Sequence, residues 1–204
     1  MKVFKFGGAS VKDAAGGKNL SSIVHQQHGQ LIVVVSAMGK TTNLLETLCN
    51  AYFHQDPKTT AIMKELKNFH LDIVNTLFPL NETIHKHLEE LFTSLENILA
   101  SESSLCYDYE YDRIICFGEL ISTTIISDYL KMKGIENQFI DIRKFLKTDQ
   151  NYRNANIDLE LSEQLCKDAF DFNTSSVFVT QGFIAGTRTN QTTTLGREGS
   201  DYTA

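Results

Sequence analysis

Gly29 and Ser36 bracket the stretch that most restricts what this chain can become, Leu31-Ile32-Val33-Val34-Val35. Successive side chains of a strand point to opposite faces, so a run that is apolar throughout is buried on both. Burial on both faces calls for a parallel sheet with helices packed on each side. Met1-Lys2-Val3-Phe4-Lys5-Phe6 likewise reads as a buried strand, stopped by Gly7-Gly8, with Ser10 before a helix-like segment. That segment, Val11 to about His28, contains Gly16-Gly17, each costing ~1 kcal/mol relative to alanine, so the helix is broken or begins late. Strand, helix and strand make a βαβ unit with a right-handed crossover. Ligands of such sheets sit at the carboxyl ends of the strands, here Lys5 to Gly7 and Ser36.

The Gly7-Gly8 turn directs backbone N–H groups and the positive end of a helix at one spot, and the Lys5 ammonium can reach it. Such a turn is a phosphate cradle or a purely steric device. Ser36 to Asn43 is a polar loop, with Thr41 or Thr42 as cap of a helix from Leu44 to about Phe53. Apolar residues at helical spacing, Ile62 to Leu77 and then Ile84 to Leu99, define a helical hairpin at about 58–102. Pro79-Leu80-Asn81 separates its arms, with Asn81 as a cap. His85 and His87 face different sides of their helix, which leaves them a solvated pair rather than metal ligands.

Tyr107 to Lys133 reads as one helix, apolar around much of its circumference and closed by Gly134. Glu119 stands inside that apolar run beside Gly118, where an unpaired carboxylate is expensive. Something positive is expected to meet it, either a protein Lys or Arg or the ammonium of a ligand. Beyond it come a strand at Gln138–Ile142, a polar loop at Asn151–Asn156, and a helix at Leu161–Phe170 opened by Ser162 or Asp158. A strand at Ser176–Thr180 and a hairpin or strand pair through Gly182 and Gly186 follow. Thr192-Thr193-Thr194-Leu195-Gly196-Arg197-Glu198-Gly199-Ser200-Asp201 is then a second glycine-flanked turn, with a helix starting at Ser200.

A net charge of −6 gives no general attraction to nucleic acid, whose phosphates demand Lys and Arg. Only two prolines argue against linkers, and no run approaches the ~18 apolar residues of a membrane span. With no secretory leader either, a cytoplasmic protein is expected. The four cysteines lack C-x-x-C spacing and read as free, mostly buried thiols.

Lys5-Phe6-Gly7-Gly8, Val33 to Leu45, Phe117-Gly118-Glu119-Leu120-Ile121-Ser122 and the Gly196 to Asp201 turn together resemble the aspartate kinases of the amino-acid kinase family. The resemblance implies a three-layer αβα sandwich with a mostly parallel sheet, incomplete at its C-terminal end. On it, 1–204 is the amino-terminal, aspartate-binding lobe of the kinase domain, without the nucleotide lobe or the ACT domains. The implied reaction is ATP-dependent phosphorylation of L-aspartate to 4-phospho-L-aspartate, the entry to lysine, threonine and methionine synthesis, with Mg2+ accompanying ATP. Catalytic roles fall on Lys5 and Asp201. Lys5, Gly7, Gly8 and Ser36 hold the phosphoryl group, and Thr42, Glu119, Arg197 and Ser200 hold the substrate, Glu119 taking its ammonium. No metal-ligand set is expected of the protein itself.

Two positions depart from the pattern, Ala9 where the family usually has Thr, and Glu198 where it usually has Gly. The full-length protein is expected to be a homo-oligomer, self-association of this chain being an open alternative, and the chain to have little kinase activity by itself. The competing reading is a non-catalytic relative that binds an amino acid or a partner.

Overall fold

In the computed structural model, which describes residues 1–79, 82–196 and 199–204, the Leu31–Val35 run is a central strand of a wholly parallel sheet. The order is β1 (Lys2–Phe6), β2 (Leu31–Val35), β5 (Val177–Gln181), β3 (Gln138–Ile140). A second sheet joins β4 (Lys147–Thr148), β6 (Ile184–Thr187) and β7 (Thr192–Thr194); the β6–β7 hairpin turns at 188–191 and holds Gly186, while Gly182 lies before it, where the chain passes from one sheet to the other. The helices are α1 (Ala14–His25), α2 (Thr41–Phe53), α3 (Thr59–Leu77), α4 (Glu82–Ala100), α5 (Tyr107–Ile115), α6 (Phe117–Met132), α7 (Leu159–Ala169) and α8 (Gly199–Thr203). Val33, Val35 and Val179 face the main core with Ile121 and Ile125 of α6, while Phe178 points to the other face, where Phe170 and Phe172 stand edge-on to it. Both faces are therefore covered, as the β2 run requires.

Several expectations change. β1 is an edge strand, not a buried one: Val3 is 37% exposed, and of its five residues only Phe6 is buried. Its register places Lys5 opposite Val34, so Lys5 ends the strand in the open. α1 begins late and runs unbroken through both glycines. Gly16 sits where a Cβ would lie 2.4 Å from the Ser10 carbonyl oxygen, so the turn before the helix needs it. α2 starts at Thr41 with no side-chain cap, because the Thr41 hydroxyl turns inward to donate to the Met38 carbonyl at 2.6 Å.

The single helix from Tyr107 is two. Cys116 separates them, since Asp112 ties α5 to β7 while α6 lies on β2 and β5. The strand at Gln138 ends at Ile140, and Asp141 caps a 3-10 turn at Ile142–Lys144 instead. Asp158, not Ser162, opens α7 by accepting from Leu161 N. His87 is not merely solvated, because its Nδ1 lies 2.7 Å from Asp128. The Asn81 cap falls outside the described residues. The thiols are free, Cys49 and Cys116 buried and Cys106 exposed. Among the described residues no helix is long and apolar enough to cross a membrane.

Candidate functional site

The carboxyl ends of β1, β2 and β5 are stitched together by Ser36 N to Phe6 O and Gly182 N to Val35 O, both 3.0 Å. A cleft of about 580 Å³ opens above them, lined by Gly8, Ser36, Ala37, Thr42, Glu119, Gly196 and Ser200 among others. A larger groove of about 750 Å³ near Tyr52, Met63 and Lys67 has its Lys67 ammonium already paired with Glu96 at 2.7 Å. No orphaned buried polar group lines that groove among the described residues. Chemistry, not size, singles out the first cleft.

At its floor Glu119 occupies the first turn of α6 and is 3% exposed. Oε1 accepts from Ala37 N at 3.1 Å, and among the described residues Oε2 has no partner. Burial pushes the carboxyl up to about 8, and the bond from Ala37 N offsets that only in part. The carboxylate is aimed by packing: a Cβ on Gly118 would lie 2.9 Å from the Ala37 Cβ and 3.2 Å from Leu45. Of the two partners expected for Glu119, no Lys or Arg meets it among the described residues.

At the rim Lys5 Nζ lies 2.7 Å from Asp201 Oδ1, and both side chains are partly open to solvent. Ser36 Oγ and Ser200 Oγ are 2.9 Å apart, and Ser122 fixes the Ser36 carbonyl at 2.8 Å. Gly8 leaves no room for a side chain, since its Cβ would sit 2.7 Å from the Ala37 carbonyl oxygen. Gly7 is open, its nearest neighbour being the Lys5 ammonium. The positive end of α1 does not serve this turn, because Asp13 accepts from Gly16 N at 2.8 Å. The uncapped start of α2, with Gly39 and Thr42 on the cleft wall, supplies the positive helix end there.

Gly8, Ser36, Thr42, Glu119 and Ser200 line this cleft, Lys5 and Asp201 pair beside it next to Ser200 without lining it, and Arg197 and Glu198 fall outside the described residues. Sequence reasoning missed Tyr111, Arg153, Phe183 and Thr194, which also line the cleft. Arg153 (φ 67) and Phe183 (φ 70) hold left-handed backbone that no local sequence signal announces. For a metal, no group of three His, Cys, Asp or Glu occurs among the described residues, and the rim offers the single carboxylate of Asp201.

The amino acid kinase family model matches residues 1–204. Lysine-sensitive aspartokinase 3 of Escherichia coli is 30% identical over 99% of this chain and 44% of its own length. Chloroplastic aspartokinase 2 of Arabidopsis thaliana is 33% identical over 99% of the chain and 38% of its own length. The structure of E. coli aspartokinase III with aspartate and ADP superposes with a TM-score of 0.88 at 29% identity, over 99% of this chain and 45% of that one. The chain spans less than half the length of these relatives.

Proposed function

The chain belongs to the amino acid kinase family, and from that premise we propose that it forms the aspartate-binding lobe of an aspartate kinase, which moves a phosphoryl group from ATP to the side chain of L-aspartate. The observation that carries the reading is the orphaned Oε2 of Glu119 on the floor of a cleft whose rim holds Lys5. A buried carboxylate with one open acceptor suits an ammonium, and a lysine at the rim suits anionic oxygens.

Each residue then has a task. Glu119 takes the substrate ammonium, and Thr42 and Ser200 add neutral hydrogen bonds around it. Arg197 is the proposed clamp for a substrate carboxylate. Lys5, with the amides near Gly7 and Gly8 and the hydroxyl of Ser36, stabilises charge on the phosphoryl oxygens as it is transferred. Asp201 holds Lys5 in place. It is not a general base, because the accepting carboxylate is already ionised at neutral pH. Mg2+ fits as an ion brought on the triphosphate, with Asp201 the rim carboxylate near it among the described residues. It would neutralise phosphate charge there.

Calorimetric titration with L-aspartate tests the reading on the wild-type chain, Glu119→Gln and Lys5→Ala. Binding to the wild type, its loss in Glu119→Gln and weaker but persisting binding in Lys5→Ala are expected. Absent binding, or binding indifferent to Glu119, would refute it.

A further inference from the structure

Arg153 has no task in that scheme, yet it lines the same cleft as Glu119. Its backbone sits at φ 67, where glycine is at ease and arginine is not. Asp112 holds it there. This buried carboxylate accepts from Arg153 N at 3.0 Å and Thr194 N at 2.9 Å through Oδ2, and from Thr194 Oγ1 at 2.7 Å through Oδ1. The loop is braced again by Asp149, whose Oδ1 accepts from Asn151 N at 3.1 Å and Asn156 N at 3.0 Å. The backbone is thus pinned on both sides of Arg153, and motion is left to its side chain.

That side chain lies with its guanidinium carbon 4.4 Å from the Tyr111 ring centroid and donates from Nη1 to Asp108 at 3.1 Å. Asp108 is its one side-chain hydrogen-bond acceptor among the described residues, while a guanidinium has five N–H groups. The Asp108 side chain is 53% exposed, so solvent screens the pair and releasing it is easy. An unfavourable backbone conformation kept beside a cleft, under a cation with unused donors, points to recognition.

We propose that Arg153 is a specificity-determining residue that leaves Asp108 to join Arg197, the clamp proposed above, in holding the α-carboxylate of the amino-acid substrate. This rests on reading the cleft as an aspartate site. The carboxylate to be phosphorylated belongs at the Lys5 and Ser36 rim. The α-carboxylate shares a carbon with the ammonium at Glu119, and the wall built by α5 and the 149–156 loop offers it a planar fork.

The test compares L-aspartate with β-alanine, which keeps the ammonium and the other carboxylate but lacks the α-carboxylate. Affinities for both are measured by calorimetry on the wild type, Glu119→Gln, Arg153→Gly and Arg153→Lys. Glycine suits the left-handed backbone, so Arg153→Gly folds with an unchanged or higher melting temperature. Its preference for aspartate over β-alanine falls by about tenfold or more, the worth of a lost charged hydrogen-bond pair. Arg153→Lys keeps charge without the fork and lies between. An Arg153→Gly chain that keeps the wild-type preference overturns the assignment, while loss of aspartate binding in Glu119→Gln leaves the cleft reading standing. A wild type that binds neither ligand refutes both.

Discussion

Glu119 gives the sharpest test because its protonation connects stability to binding. Its carboxyl is raised from 4.5 to about 8 by burial. The folded chain therefore holds this proton more tightly than the unfolded chain does. The resulting stability is complete below about pH 4.5, declines as pH rises toward 8, and is flat beyond. A shift of this size corresponds to on the order of 5 kcal/mol across that window, at ~1.4 kcal/mol per unit. Glu119→Gln keeps the acceptor for Ala37 N but cannot ionise, so its stability profile should stay level where the wild type slopes.

An ammonium beside Oε2 stabilises the carboxylate and drives its proton off. With the carboxyl raised to about 8, most of the free protein carries that proton at pH 7, so binding should release a large part of a proton per ligand. Affinity should then rise about tenfold from pH 6 to pH 7 and level off above 8. Calorimetry at pH 7 in phosphate and in Tris reads the release directly, because the buffers differ in ionisation enthalpy. Equal heats in the two buffers would refute the raised carboxyl as the ammonium site. Aspartate affinity in Glu119→Gln should fall by about a hundredfold or more, the scale of losing one partner of a buried pair.

Lys5→Met should change stability by less than ~1 kcal/mol in urea unfolding, because the Lys5–Asp201 pair is open to solvent, while weakening triphosphate binding in a nucleotide titration. Gly118→Ala should destabilise by about 1–3 kcal/mol, its Cβ pressing on Ala37 and Leu45; stability equal to wild type would show that α6 can shift freely. His70 is wholly buried with Nδ1 2.8 Å from the Leu66 carbonyl, and burial lowers it from 6.5 to about 4. Its stabilisation is complete above about 6.5 and lost as pH falls toward 4, so His70→Leu should flatten the acid side of a profile of unfolding free energy against pH, from urea unfolding, by roughly 3 kcal/mol.

What could be read beforehand was whatever a residue's own neighbours decide. Leu31–Val35 had to be a two-faced strand because nothing in it tolerates water, and Glu119 had to be buried because its helix is greasy around most of its circumference. What distant parts of the chain decide was hidden. The break at Cys116 exists because Asp112 is bound to Thr194, eighty-two positions away, and no local pattern marks it. The exposure of β1 depends on its place in the strand order. Arg153 was illegible for a third reason: its left-handed backbone is imposed by Asp112 against its own preference.

These hidden contacts also decide where the cleft places its charges. Gly8 and Gly118 both press against Ala37, so the two strand-end loops and the start of α6 form one packed unit. The unit delivers the Ala37 N–H to one oxygen of Glu119 and leaves the other open to the cleft. Glu119 on the floor is dry, whereas Lys5 and Arg153 stand at the margins in partial contact with water. Exchanging the two would fail, because a buried lysine without a partner sheds its proton, and a carboxylate at the margin is screened. A ligand that matches carries one ammonium to push inward and carboxylates on either side of it, which is the charge pattern of a dicarboxylic amino acid. A monocarboxylic amino acid satisfies the floor and one margin only, and should bind more weakly by the worth of the unanswered cation.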